Sequence, residues 1–110
     1  MIKFRLIIEK KRLTEVNLED NKLNDQSAAE LFKILKSNVT IRKLNLSKNQ
    51  LTDYSARLLK EALKNNDCLV ELYLHWNQIQ ANGGLHIFDG LSQNDCLKVL
   101  DLSWNALGFF

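Results

Sequence analysis

The chain has 110 residues, 45% hydrophobic and 25% charged, an ordinary composition for one soluble globular domain. Net charge is +2, but residues 1–12 hold Lys3, Arg5, Lys10, Lys11 and Arg12 against Glu9 alone, a local +4. The remainder therefore carries −2, which argues against nucleic acid as a partner.

Residues 1–12 come first. Phe4, Leu6 and Ile7 stand 28 positions ahead of Phe32, Ile34 and Leu35. The segment is thus in phase with a later helical stretch, and it is expected to form a helix that covers the N-terminal end of the core. A strand pairing with residues 15–18 is the alternative offered by Ile-Lys-Phe-Arg-Leu. Either would serve as a capping segment. The apolar run 2–8 is too short, and too interrupted by Lys3 and Arg5, for a signal segment or a membrane span. A cytoplasmic or nuclear compartment and no membrane partner are the expectations.

From Leu13 onward one pattern recurs. Leu69-Val-Glu-Leu72-Tyr-Leu74-His-Trp-Asn77-Gln-Ile79 reads L-x-x-L-x-L-x-x-N-x-I, with further copies at Leu13–Leu23, Ile41–Leu51 and Leu97–Leu107. Their first residues, 13, 41, 69 and 97, are 28 apart each time. The chain divides into repeats 13–40, 41–68 and 69–96 and a partial repeat 97–110, an internal periodicity that means a stacked array.

Within each copy, alternation puts Leu72 and Leu74 on one face of a short strand and Tyr73 on the other. Val16-Asn17-Leu18, Leu44-Asn45-Leu46 and Leu100-Asp101-Leu102 do the same. One strand per 28 residues must pair in parallel with its neighbour, through a crossover long enough for a helix. Asn21, Asn49, Asn77 and Asn105 stand at a fixed phase after the strands. They read as a structural ladder in which inward amides satisfy the turn that leaves the sheet.

The helical halves follow. Asn24 or Asp25 can cap the first, with Ala28, Leu31, Ile34 and Leu35 on its inner face and Lys33 and Lys36 toward water. Thr52 or Asp53 can cap the second, with Ala56, Leu59, Ala62 and Leu63 inside. In the third, Asn82 is the candidate cap and Ile87 and Leu91 the inner residues. There Gly83-Gly84 replaces Ser-Ala, which weakens the helix start. The small residues Ala28, Ala56 and Gly84 mark close helix packing. The fourth copy reaches Gly108-Phe109-Phe110 without a helix. Its open edge is a candidate for self-association, and the expectation is either that the chain is a fragment of a longer solenoid or that Phe109 and Phe110 fold back as a plug.

L-x-x-L-x-L-x-x-N at a spacing of 28 over residues 13–108 resembles the leucine-rich repeat, in the long subtype typified by ribonuclease inhibitor. That resemblance implies an α/β solenoid, a short horseshoe arc with a parallel β-sheet on the concave side and helices on the convex side. It also implies a protein-binding module. The same subtype forms the sensor ends of NOD-like receptors and the Ran GTPase-activating protein, which are the alternative readings.

Outward strand positions then form columns: Glu15, Lys43, Glu71, Val99; Asn17, Asn45, Tyr73, Asp101; Glu19, Ser47, His75, Ser103; and Asp20, Lys48, Trp76, Trp104. The concave candidates for contact with a partner are Tyr73, His75, Trp76 and Trp104, with Glu71, Asp101, Lys43 and Lys48 around them. Exposed aromatics commonly anchor protein interfaces. The competing account is that Trp76 and Trp104 pack on each other and on the turn. No nucleophile elbow or phosphate loop accompanies His75, so no catalytic residue is assigned. No cofactor is expected. Cys68 and Cys96, one repeat apart, lack metal-ligand spacing and read as small buried thiols, reduced rather than bridged. On the outer side Lys33, Lys36, Arg57, Lys60 and Lys64 form a second, basic candidate surface.

Overall fold

Four three-residue strands, Glu15–Asn17 (β1), Lys43–Asn45 (β2), Glu71–Tyr73 (β3) and Val99–Asp101 (β4), form one parallel sheet in the order β1-β2-β3-β4. They are seen in a computed structural model, which describes residues 2–108. The register repeats the sequence step: Glu15 pairs Lys43, Lys43 pairs Glu71 and Glu71 pairs Val99. Leu44, Leu46, Leu72 and Leu74 point inward and are at most 1% exposed.

Helices Asp25–Ser37 (α2), Asp53–Asn65 (α3) and Ala81–Leu91 (α4) connect successive strands, and Ile2–Lys11 (α1) precedes β1. The result is the α/β solenoid of the leucine-rich-repeat class, with the sheet on the concave side and the helices on the convex side. Ala28, Leu31, Ile34 and Leu35 from α2 and Ala56, Leu59, Ala62 and Leu63 from α3 enclose the core against the strand leucines.

At α1 the phase differs from the sequence expectation. Ile8 enters the core at 2% exposure while Ile7 is 50% exposed. The helix ends where Arg12 takes a left-handed φ of 53° and the Leu13 amide donates back to Ile8 O. That reversal sets the rotation of α1 by its own junction rather than by the 28-residue step. Phe109 and Phe110 lie outside the described residues, as do the side chains of Phe4 and Leu6.

Helix starts follow the capping chemistry in two cases and depart in the third. Asn24 Oδ1 accepts from the Ser27 amide, and Thr52 Oγ1 accepts from the Tyr54 amide. In α4 the N-cap is Gln80, whose side chain makes no cap bond, and Asn82 sits inside the first turn. From the preceding rung Asp53 Oδ1 takes the Gln80 amide at 2.6 Å, as Asp25 takes the Thr52 amide at the start of α3. A Cβ on Gly83 would collide with that same Asp53 oxygen and with Ile79. The glycine leaves room for the Asp53 carboxylate where it lies, whereas one rung earlier Ser55 occupies the equivalent place and bonds Asp25.

Gly90 is a second close approach. A Cβ there would lie 3.0 Å from Lys60 O and 3.1 Å from Lys60 Cα, backbone atoms of α3. Gly90→Ala is expected to cost about 1 kcal/mol in urea melts, overpacking of about 2 kcal/mol less the helix propensity gained. An unchanged midpoint would mean that the helices separate freely.

Candidate partner-binding face

Each strand is followed by a turn that leaves the sheet, and the amide ladder sets its shape. Asn49 Oδ1 accepts from the amides of Asn21 and Leu23 in the preceding rung. Its Nδ2 donates to Leu18 O, Leu46 O and Ser47 O, each at 3.0 Å. Asn77 Oδ1 takes the Leu51 amide, and its Nδ2 reaches Leu46 O, Leu74 O and His75 O. Asn105 takes the Ile79 amide and donates to Leu74 O, Leu102 O and Ser103 O. Asn21 is exposed and donates only to Glu19 O.

This turn forces the preceding column into the left-handed region. Asp20, Lys48, Trp76 and Trp104 have φ of 57°, 55°, 58° and 57°. Their amides donate to the next rung, Asp20 to Ser47 O, Lys48 to His75 O and Trp76 to Ser103 O, which fixes the geometry. Left-handed backbone costs a non-glycine residue roughly 1–2 kcal/mol and suits asparagine or glycine best. Two bulky tryptophans occupy it here. Their rings stack on one another, centroids 4.9 Å apart and planes 13° from parallel. They nevertheless remain 51% and 69% exposed.

On the sheet itself, Tyr73 and His75 meet edge to face at 6.4 Å. The Tyr73 hydroxyl donates to Glu71 Oε1, and that bond pushes the phenol's pKa up. Lys43 Nζ stands 5.8 Å from the Tyr73 ring centre and 3.9 Å from Glu15. Asp101 Oδ1 accepts from the Ser103 hydroxyl and amide, which hold its carboxyl below the usual range. Its other oxygen faces His75 Nδ1 at 3.4 Å. The enclosed Nδ1 makes no hydrogen bond there, so the contact becomes an ion pair only when the imidazole is protonated. Glu19 accepts from Ser47 Oγ and Asn45 Nδ2, and these bonds lower its pKa.

The structure thus joins Glu71, Tyr73, His75, Asp101 and Lys43 in one concave network and Trp76 with Trp104 in an adjoining stack. Lys48 is exposed in the tryptophan column. The serines near His75 are committed to Asp101 and Glu19, so no Ser–His nucleophile pair is assembled. Among the described residues no three His, Cys, Asp or Glu side chains converge as a metal site, and no helix is long and apolar enough to cross a membrane.

The convex candidates look different in the fold. Lys60 and Lys64 both reach Asp89 across the α3–α4 gap, at 3.9 and 3.7 Å. Lys33 pairs Glu30, and Arg57 lies over Tyr54. Glu30 and Asp89 thus offset two of the five positive charges, Lys60 and Lys64 sharing one carboxylate. Of the two thiols, Cys68 follows the expectation of a buried group and Cys96 departs from it. Cys68 is buried, donates to Ile41 O, touches Arg42 Nη1, and burial pushes its pKa up. Cys96 is only half-buried, donating to Asp67 O. Both are free.

A leucine-rich repeat profile matches residues 11–32, 37–59, 65–88 and 93–108. The chain belongs to the leucine-rich repeat family. No curated protein matches its sequence. Among solved structures, this leucine-rich repeat chain is similar to Leiomodin-1 Actin-Binding Site 2, with a TM-score of 0.86 at 24% identity. The alignment covers 98% of this chain and 66% of that one. At that identity the likeness establishes the fold.

One row of residues with the 28-residue step escaped the sequence reading, and a second was read only as candidate helix caps. Asn38, Asn66 and Asn94 close the opposite edge. Asn66 Oδ1 accepts from Cys68 and Leu69 while its Nδ2 donates to Leu35 O and Asn38 O, and Asn94 repeats the pattern. Asp25 and Asp53 tie each helix start to the next.

Proposed function

We propose that this leucine-rich repeat domain is a non-catalytic protein-binding module of the long, ribonuclease-inhibitor-like subtype, with the concave sheet and its exit turns as the working surface. The observation that carries the reading is the exposed Trp76–Trp104 stack on left-handed backbone. A strained, solvent-facing aromatic pair does little for the fold that asparagine would not do more cheaply. Such strain concentrates at functional sites. The likeness to a structure titled an actin-binding site also supports a protein partner and makes actin one direct probe. The two free thiols suit a reducing compartment, cytoplasmic or nuclear.

Photo-crosslinkers placed in living cells at Asn17 and Asn45 on the sheet, and separately at Lys33 and Arg57 on the helices, test the choice of face. Adducts are expected from the sheet positions. Adducts confined to the helix positions overturn it. For a partner so found, Tyr73→Ala or Trp104→Ala is expected to weaken binding by about 2 kcal/mol. The melting temperature should stay nearly unchanged, and Glu15→Ala should do little to affinity.

A further inference from the structure

We infer that the partner segment seated on this face is cationic and bears arginine, with a guanidinium laid on the Trp76–Trp104 stack. This rests on the concave reading above and names the chemistry of its occupant. The four concave columns hold five carboxylates, those of Glu15, Glu19, Asp20, Glu71 and Asp101. Against them stand Lys43 and Lys48, so the face carries −3 on a chain whose net charge is +2. Lys43 is drawn toward Glu15 and the Tyr73 ring. Glu19 accepts hydrogen bonds from Ser47 and Asn45, and Asp101 from Ser103, which favour the ionised form of each carboxyl. The negative charge of the face is therefore built in.

Acid alone would draw any cation. The indole pair adds the selectivity. Two rings only 13° from parallel present a flat, exposed π surface. A guanidinium is planar and weakly hydrated and stacks on such a surface, whereas an ammonium is a compact, strongly hydrated charge. Asp101 and the tryptophans share the last two rungs. Asp101 Oδ2, which forms no hydrogen bond with His75 at 3.4 Å, is an acceptor for the same group.

The test uses three labelled peptides of equal length, Gly-Ser-Arg, Gly-Ser-Lys and Gly-Ser-Glu repeats, titrated onto the full chain near 0.15 M salt with tryptophan quenching and anisotropy as readouts. The arginine peptide is expected to bind about tenfold tighter than the lysine peptide, and the glutamate peptide not at all. Trp104→Asn keeps a residue that left-handed backbone accepts, so the fold should survive, and it should cost the arginine peptide about tenfold. Asp101→Asn should weaken both cationic peptides. Equal affinity for arginine and lysine, undiminished binding by Trp104→Asn, or no binding of the arginine peptide overturns the inference. If sheet crosslinks in cells persist in that event, only the arginine assignment falls. If the arginine peptide itself crosslinks to α2 and α3, the concave reading falls with it.

Discussion

Asn49→Ala and Asn77→Ala are each expected to lower the unfolding free energy by about 3 kcal/mol in urea melts, while Asn21→Ala changes it by less than about 0.5. The difference lies in what each amide leaves behind. Truncating Asn49 abandons the amides of Asn21 and Leu23 and the Leu18 carbonyl, all at partly buried positions, while Leu46 O keeps Asn77 Nδ2 and Ser47 O keeps the Asp20 amide. Asn49 and Asn77 are only 7% and 8% exposed, so water cannot replace them without opening the turn. An unpaired buried group costs about 1–3 kcal/mol, and several are stranded at once. Asn21 is exposed and makes one side-chain donation, which water can replace. Asn105 is half-buried, with an intermediate loss expected. Asn49→Asp is the sharper control. It keeps the acceptor for the two amides but turns a carboxylate oxygen toward the three carbonyls, so it should be at least as damaging as alanine. Equal losses at Asn21 and Asn49 would show that the amides do not hold the turns.

The repeat step explains how much was legible beforehand. A period of 28 with Leu-x-Leu inside it dictates parallel strands and outer helices, because the chain cannot pair or bury those leucines otherwise. The inner positions of α2 and α3 follow from the same arithmetic. Where the step fails to predict, a junction or a neighbour intervenes. Ile7 and Ile8 exchange roles because the Arg12 turn, outside the repeated part, rotates α1. Asn82 is not a cap because the helix begins earlier, with Gln80 at the N-cap and Asn82 inside the first turn. Gly83 looked like a weakness in isolation, yet it makes room for the Asp53 carboxylate where that side chain lies. The candidate face was legible as columns, but not its internal pairing. The left-handed φ shared by Asp20, Lys48, Trp76 and Trp104 has no residue-type signature, since three different residue types occupy it. The Lys60 and Lys64 pairing with Asp89 needed the α3–α4 geometry, and it offsets one charge of the basic patch that the sequence suggested.

Asp25→Ala is expected to destabilise the domain by about 3 kcal/mol near neutral pH, and the loss should shrink in acid. Asp25 opens α2, where a carboxylate interacts favourably with the helix N-terminus. From there it reaches the start of α3. Oδ1 accepts the Thr52 amide at 2.9 Å and the Ser55 hydroxyl, and Oδ2 accepts the Thr52 hydroxyl at 2.6 Å. Bonds to a charged acceptor contribute about 1.5–3 kcal/mol each, though not additively. Partial burial raises the carboxyl's pKa, but the Ser55 and Thr52 donors outweigh it and leave the value below 3.8. A depressed native pKa means that the folded state binds its proton later than the unfolded chain does. The contribution is then fully present above the unfolded value near 3.8 and is lost as pH falls through the lower native one. Glu19 and Asp101 shift the same way, so wild type alone cannot isolate Asp25. The difference between wild type and Asp25→Asn does, because asparagine keeps one acceptor and does not titrate there. Urea midpoints from pH 6 down to 2 should therefore converge for the two proteins below pH 3.8. A constant gap across that range would show that packing, not the charged acceptor, holds the start of α3 to α2.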